Sequence, residues 1–78
     1  MNMKNRSINK FYVSTDDSEY TKLIKLPRVV QLTTLSAPSI YRLIKEGKFP
    51  SQIKISSRAS AWVEQEVIDY ITACREAS

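Results

Sequence analysis

The sequence predicts a mainly α-helical fold with three helices and one small β-hairpin. Two short segments with helical apolar spacing lie between residues 26 and 46, and each is preceded by helix start signals. An alternating apolar segment at residues 53–55 is followed by a polar turn, which is typical of a hairpin. A longer apolar stripe then runs from residue 63 to residue 74 with helical spacing. With 78 residues, the chain has room for one modest hydrophobic core.

The first helix is predicted to begin at Leu26-Pro27. Proline is favoured in the first turn of a helix, where its missing N–H group leaves no hydrogen bond unmade. Val29, Val30 and Leu32 supply the apolar side, and the helix is expected to end around Thr33-Thr34.

The second helix is predicted over residues 37–46. Ser36 is a favourable N-cap, and Pro38 again lies in the first turn. Gly47 follows at the position where a left-handed residue commonly ends a helix, and Pro50 prevents a restart.

This second helix has one apolar and one basic side. Ile40, Leu43 and Ile44 fall at i, i+3 and i+4 and form a buried stripe. The opposite side carries Pro38, Arg42 and Lys45, with Ser39 and Tyr41 on its flanks. Two short helices joined by a tight junction, with a basic outer face, predict a helix-turn-helix.

The remaining elements predict a wing and a third helix. Ile53–Ile55 and Ala61-Trp62 are expected to pair across a turn at residues 56–60, with Arg58 near its tip. Trp62 is expected to anchor this hairpin in the core. A last helix is predicted over residues 64–75, with an acidic outer face. Its apolar stripe consists of Val63, Val67, Tyr70, Ile71 and Cys74, the last as a small packing residue. Together these elements predict a winged helix-turn-helix at residues 22–78.

Residues 1–21 are predicted to form a loosely ordered N-terminal arm. They are polar and show no sustained apolar period. Phe11–Val13 is the one segment in the arm that resembles a short strand, and residues 14–19 are rich in turn and cap residues.

The charge is concentrated in the middle of the chain. Residues 22–58 hold eight basic residues against Glu46 alone, a net charge of +7, whereas residues 59–78 sum to −3 and residues 1–21 to zero. A concentrated basic region is the electrostatic footprint of a polyanionic partner such as nucleic acid.

Several function classes are disfavoured by what the sequence lacks. It contains no histidine, one cysteine and one glycine. Acid–base catalysis by histidine, a zinc site and a glycine-rich phosphate loop are therefore not expected, and we predict neither an enzyme nor a cofactor. No apolar run approaches the roughly 20 residues of a membrane span, and no signal peptide is recognisable. The expected location is the cytoplasm.

Several segments of the chain resemble the AlpA-type prophage regulators. The similarity covers about residues 23–73 and is most specific in the continuous run from Ser39 to Pro50. Its other parts are Leu26–Val30, Leu35-Ser36, Arg58-Ala59, Ala61–Glu64 and Glu66-Val67. These regulators are similar to excisionases and to MerR-like winged helices. The resemblance implies a prophage or genomic-island protein that binds duplex DNA near a promoter or an attachment site, as a transcriptional regulator or an excisionase.

The resemblance places Tyr41, Arg42 and Lys45 on the recognition helix and Arg58 in the wing. With the basic and cap residues around them, the predicted DNA-binding residues are Ser36, Ser39, Tyr41, Arg42, Lys45, Lys48, Lys54 and Arg58. The family often has a polar or basic pair where this chain has Ala37-Pro38, so base contacts at the helix start are not implied. Because one such domain buries little DNA surface, an integrase or further copies of the chain are expected as additional partners.

Alternative roles remain open for individual residues and for the chain. Tyr41 is equally compatible with packing beside Phe49, Lys45 with stabilising the helix dipole, and Arg58 with hydrogen bonds inside its own turn. The competing function is a small phage-type module that binds a host protein through its basic face.

Overall fold

The computed structural model describes residues 21–78, so the predicted arm, with its strand at residues 11–13, lies outside the described residues except for Thr21. The described part contains three helices and three strands. In chain order they are β1 (Leu23–Ile24), α1 (Leu26–Thr33), α2 (Ala37–Lys45), β2 (Ile53–Ser56), β3 (Ala59–Val63) and α3 (Glu64–Ala77). A helix-turn-helix followed by a hairpin wing and a third helix confirms the predicted fold class.

The sheet has three antiparallel strands in the order β1-β3-β2. The third strand, β1, was not predicted, because two residues are too few to show an alternating pattern. Ile24 lies opposite Trp62, and Lys54 lies opposite Ser60. Since side chains alternate along a strand, these four residues share the sheet face that carries the buried Trp62. The other face is formed by Leu23, Ile53, Ala59, Ala61 and Val63, with Ser56 opposite Ala59, while Ile55 has no partner in the register.

The wing is tighter than the sequence indicated. Both strands extend further toward the tip, so that the turn consists of Ser57 and Arg58 alone. The pairing is irregular between Lys54 and Ser56, where one strand accommodates an extra residue. Neither turn residue has a positive φ, since Thr34 and Gly47 alone do so among residues 21–78.

The core lies between the sheet and the three helices. Its buried members are Ile24, Val29, Ile40, Phe49, Trp62 and Val67. Trp62 is 1% exposed, and its indole Nε1 donates a hydrogen bond to the Pro50 carbonyl at 3.1 Å, which confirms the prediction for this residue. The prediction for Cys74 was wrong: its side chain is exposed, because it lies near the C-terminal end of α3, beyond the region that faces the core.

The ends of α2 follow the sequence signals. The Ser36 Oγ accepts a hydrogen bond from the Ser39 amide at 3.3 Å, as expected of an N-cap. At the other end, Gly47 has φ = 74°, its amide donates to the Ile44 carbonyl, and the Lys48 amide donates to the Leu43 carbonyl. These two bonds form a Schellman motif, which satisfies carbonyls that the helix end leaves free.

Substitutions at the two left-handed residues should change stability in opposite directions. A Cβ at Gly47 meets no atom within 4 Å, so Gly47→Ala isolates the conformational cost, which we expect to be about 1–2 kcal/mol. Thr34 has φ = 62° and ends α1, so Thr34→Gly should relieve the same strain and stabilise by up to about 1 kcal/mol. Urea unfolding of both variants measures these effects. Equal free energies of unfolding for the parent and both variants would show that neither backbone position is strained.

Candidate nucleic-acid interface

The outer face of α2 carries two cations. Arg42 and Lys45 are exposed on the side opposite Ile40, which is fully buried, so the amphipathic pattern places them as predicted. Within residues 21–78, neither side chain takes part in an ion pair or a side-chain hydrogen bond. Both therefore have their donors available for a ligand. Lys45 lies in the last helical turn, where a positive charge also stabilises the helix dipole.

Ser36 and Ser39 are joined at the start of α2. The Ser36 hydroxyl donates to the Ser39 Oγ at 3.0 Å while accepting from the Ser39 amide. Ser36 is therefore engaged in capping the helix. The hydroxyl proton of Ser39 has no partner among the described residues and is available to donate to a phosphate oxygen. The helix N-terminus itself attracts anions through its free N–H groups.

Tyr41 lies between α2 and the wing. Its ring centroid is 6.2 Å from that of Trp62 on β3, and the side chain is 45% exposed. The aromatic ring that Tyr41 pairs with is thus that of Trp62, whereas Phe49 pairs edge-to-face with Tyr70 at 4.6 Å. Tyr41 thus packs against the base of the hairpin and remains about half exposed.

The remaining predicted cations lie beyond α2 and on the wing. Lys48 follows the helix and forms an ion pair of 3.7 Å with Glu46. Lys54 lies on β2, on the sheet face that also carries Trp62 and therefore on the side of α2. Arg58 is exposed at the wing tip, and within residues 21–78 only its backbone amide, not its guanidinium, forms a hydrogen bond, to the Ser56 Oγ at 3.4 Å. Ser57, which was not among the predicted residues, shares the two-residue turn with Arg58.

Three other basic residues of the middle segment are engaged elsewhere. Lys22 forms an ion pair of 3.7 Å with Glu64 at the start of α3. The Lys25 Nζ donates to the Ser60 carbonyl at 3.4 Å, and the Arg28 guanidinium donates to the Gln31 side chain, also at 3.4 Å. None of these three was among the predicted DNA-binding residues, and the structure separates them from the five cations on α2, its C-terminal end and the wing.

The third helix carries the opposite charge. Glu66, Asp69 and Glu76 are exposed on α3, and Glu66 and Asp69 border a shallow groove whose apolar part is formed by Phe49, Pro50 and Tyr70. A hydrogen bond with the Cys74 side chain and partial burial raise the pKa of Tyr70 above its ordinary value, so this phenol stays neutral. The exposed carboxylates of Glu66, Asp69 and Glu76 therefore repel a polyanion from this side of the molecule.

Residues 21–78 contain no group of three or more side chains suited to holding a metal ion. None of their helices combines the length and the apolar character that crossing a bilayer requires.

Comparison with known proteins gives two matches. Residues 22–75 match the family described as Prophage CP4-57 regulatory protein (AlpA). The chain is also 35% identical over 51 residues to the uncharacterized protein ORF88 of Enterobacteria phage P4. That alignment covers 65% of this chain and 58% of the phage protein, so the chain spans little more than half the length of that relative. Residues 22–75, which the family model matches, include both helices of the helix-turn-helix and the wing.

Proposed function

This chain belongs to the AlpA family of prophage regulatory proteins, and we propose that it binds specific sites in duplex DNA through α2 and the wing. The observation that supports this most directly is the placement of Arg42 and Lys45, two exposed cations without partners in the described residues, on the outer face of the second helix of a helix-turn-helix. In proteins of this architecture that helix enters the major groove.

Within this proposal, α2 supplies both base and phosphate contacts. The Arg42 guanidinium makes two hydrogen bonds to the O6 and N7 atoms of a guanine, the commonest specific contact in the major groove. Lys45, Tyr41 and Ser39 contact phosphates and fix the orientation of the helix. Because Pro38 has no polar side chain, the start of α2 contributes backbone N–H groups rather than base readout.

The wing supplies contacts to the adjacent backbone or minor groove. Arg58 at its tip and Lys54 on its inner face neutralise phosphates, and Lys48 does so beyond the end of α2. Release of counterions from the DNA by these cations provides much of the affinity. Tyr41 packs against Trp62 at the hairpin base, which fixes the orientation of α2 relative to the wing.

The biological role that fits these contacts is regulation of prophage or genomic-island genes in the cytoplasm, as a transcriptional regulator or an excisionase. A single module of this size buries about 600–1,000 Å² on DNA, which limits its specificity. We therefore propose that further copies of the chain or an integrase bind beside it. Footprinting at the chain's own promoter and at the attachment site distinguishes the two roles by showing which sequence is protected.

We expect Arg42→Ala and Arg58→Ala to change DNA binding in different ways. Arg42→Ala should lose about 1–3 kcal/mol on a selected site and reduce the preference for that site over a scrambled duplex. Arg58→Ala should weaken binding to both duplexes evenly and reduce the salt slope by about one unit. Fluorescence anisotropy with both duplexes measures these changes.

Arg28→Ala provides the matched control, because it removes the same charge from an exposed arginine on α1 that bonds Gln31. It should leave the preference between duplexes unchanged. Equal loss on both duplexes for Arg42→Ala would assign Arg42 to phosphate contact alone. A large fall in the melting temperature of Arg58→Ala would show instead that this arginine stabilises its own turn.

A further inference from the structure

Glu46 is the one acidic residue of the basic middle segment, residues 22–58. It lies at the C-terminal end of α2, where a carboxylate opposes the negative end of the helix dipole. It also lies beside the cations that the proposed function turns toward DNA, so its charge lowers the affinity for phosphates. Both effects disfavour a glutamate at this position. A residue that is unfavourable on two counts is expected to have a compensating contact.

The helix places Glu46 on the same face as two of the proposed DNA contacts. Ser39, Arg42 and Glu46 fall at i, i+3 and i+7, and Glu46 keeps α-helical backbone angles, so the three share one stripe. This stripe lies away from Ile40, which is fully buried. Arg42 and Glu46 are about 6 Å apart along the helix axis, which corresponds to two base-pair steps of about 3.4 Å. With Arg42 in the major groove, Glu46 therefore lies over a neighbouring base pair.

The ion pair with Lys48 leaves the Glu46 carboxylate able to accept a further hydrogen bond. Its Oε1 atom is 3.7 Å from the Lys48 Nζ, and the glutamate side chain is 43% exposed. A carboxylate has about four lone-pair sites. No other ion pair or side-chain hydrogen bond engages Glu46 within residues 21–78. An exposed pair of this kind adds little to stability, so it does not by itself offset the two unfavourable effects.

We propose that Glu46 determines base specificity by accepting a hydrogen bond from the N4 amine of a cytosine in the major groove, which rests on the proposed binding of DNA through α2. An ionised carboxylate accepts hydrogen bonds and donates none. Guanine and thymine present acceptors in the major groove, and adenine presents an acceptor beside its amine, whereas cytosine presents a donor without an acceptor on the same base. The Lys48 ammonium group reduces the repulsion between this carboxylate and nearby phosphates.

Selection of duplexes from a random pool, followed by sequencing, tests this proposal with the full chain. We expect the parent to select a cytosine within two base pairs of the position whose preference depends on Arg42. Glu46→Gln should change that preference from cytosine toward adenine, because glutamine pairs with the N6 and N7 atoms of adenine. Glu46→Ala should lose the preference at this position and retain it at the position that Arg42 reads.

Fluorescence anisotropy with the selected duplex measures the size of the effect. Replacing the cytosine by thymine should weaken binding of the parent by about 5- to 150-fold, the range for one mismatched base pair. The same replacement should have much less effect on Glu46→Ala. Because loss of the carboxylate also raises the affinity for scrambled duplexes, the quantity compared is the ratio of affinities for the two selected duplexes.

Glu76→Gln is the matched control, because it removes the same charge from an exposed glutamate on α3, outside the proposed interface. It should leave every base preference unchanged. Lys48→Gln breaks the ion pair and should weaken binding to all duplexes while the cytosine preference persists. Loss of this preference in Lys48→Gln but not in Glu46→Ala would assign the readout to Lys48 and overturn the proposal.

A selected site whose base preferences are the same for the parent and both Glu46 variants would also overturn the proposal, and it would leave DNA binding through α2 intact. A parent chain that selects no sequence would instead contradict the proposed function itself. The two failures are therefore distinguishable in one experiment.

Discussion

Binding of this chain to duplex DNA should weaken steeply as salt is raised. Five exposed cations lie on α2, its C-terminal end and the wing: Arg42, Lys45, Lys48, Lys54 and Arg58. Each neutralised phosphate contributes about −0.9 to the slope of log affinity against log salt, so four to five contacts give a slope of about −3.6 to −4.5. Between 50 and 200 mM salt the affinity should therefore fall by a factor of about 150 to 500. Anisotropy titrations at four or five salt concentrations measure the slope.

Substitutions of individual cations should change the salt slope by different amounts. Lys48→Ala should reduce the slope less than Lys45→Ala, because Lys48 already pairs with Glu46 at 3.7 Å. Glu46→Gln should then increase the affinity, since it frees Lys48 and removes a negative charge. No binding to duplex DNA at low salt would contradict the proposed function and favour a host protein as the partner of the basic face.

Trp62→Ala should remove a large part of the stability of the domain. The ring is 1% exposed and lies where β3, α2 and the Pro50 segment meet. Truncation of a buried aromatic residue costs about 3–5 kcal/mol, because the transfer free energy is lost and a cavity remains. Domains of this length are stabilised by only about 4–12 kcal/mol in total. The melting temperature should fall by at least about 12 °C.

Trp62→Phe separates the packing of the ring from its hydrogen bond. It retains much of the buried surface but leaves the Pro50 carbonyl without the indole donor, so its loss should be smaller than that of Trp62→Ala. Thermal unfolding followed by circular dichroism compares the two variants with the parent. A Trp62→Ala variant that melts near the parent temperature would show that the ring does not hold the wing in the core.

Most of the helical structure was predictable because its signals are local. Ser36 and Gly47 mark the ends of α2 through their own cap and backbone preferences, and the spacing of Ile40, Leu43 and Ile44 defines its buried side. These preferences depend on neighbours within four residues, so the chain alone reveals them.

The features that were missed depend on contacts distant in sequence. β1 is defined by its pairing with β3, some forty positions away, and two residues carry no period of their own. Thr34 adopts the left-handed region without the glycine that would have signalled it. The side of β2 that faces the core was also not predicted, because alternation in Ile53–Ile55 identifies two sides of a strand but not which one is buried.

The candidate interface was predictable as a set of residue types rather than as a set of available groups. Sequence pattern placed Arg42 and Lys45 opposite the core side of α2, which the structure confirms. Lys22 and Lys25 were not among the predicted DNA-binding residues, but the sequence did not show that Lys22 pairs with Glu64 or that Lys25 bonds the Ser60 carbonyl. Such partners are set by the sheet and by α3, and they become visible only in three dimensions.

The most direct test of DNA binding through α2 and the wing is an NMR titration of the labelled full chain with a duplex that it selects from a random pool. We expect the amide signals of residues 39–45 and of Arg58 to shift, while those of Asp69 and Glu76 on the acidic side of α3 do not. Shifts concentrated on α3, with α2 unaffected, would contradict DNA binding through α2 and the wing.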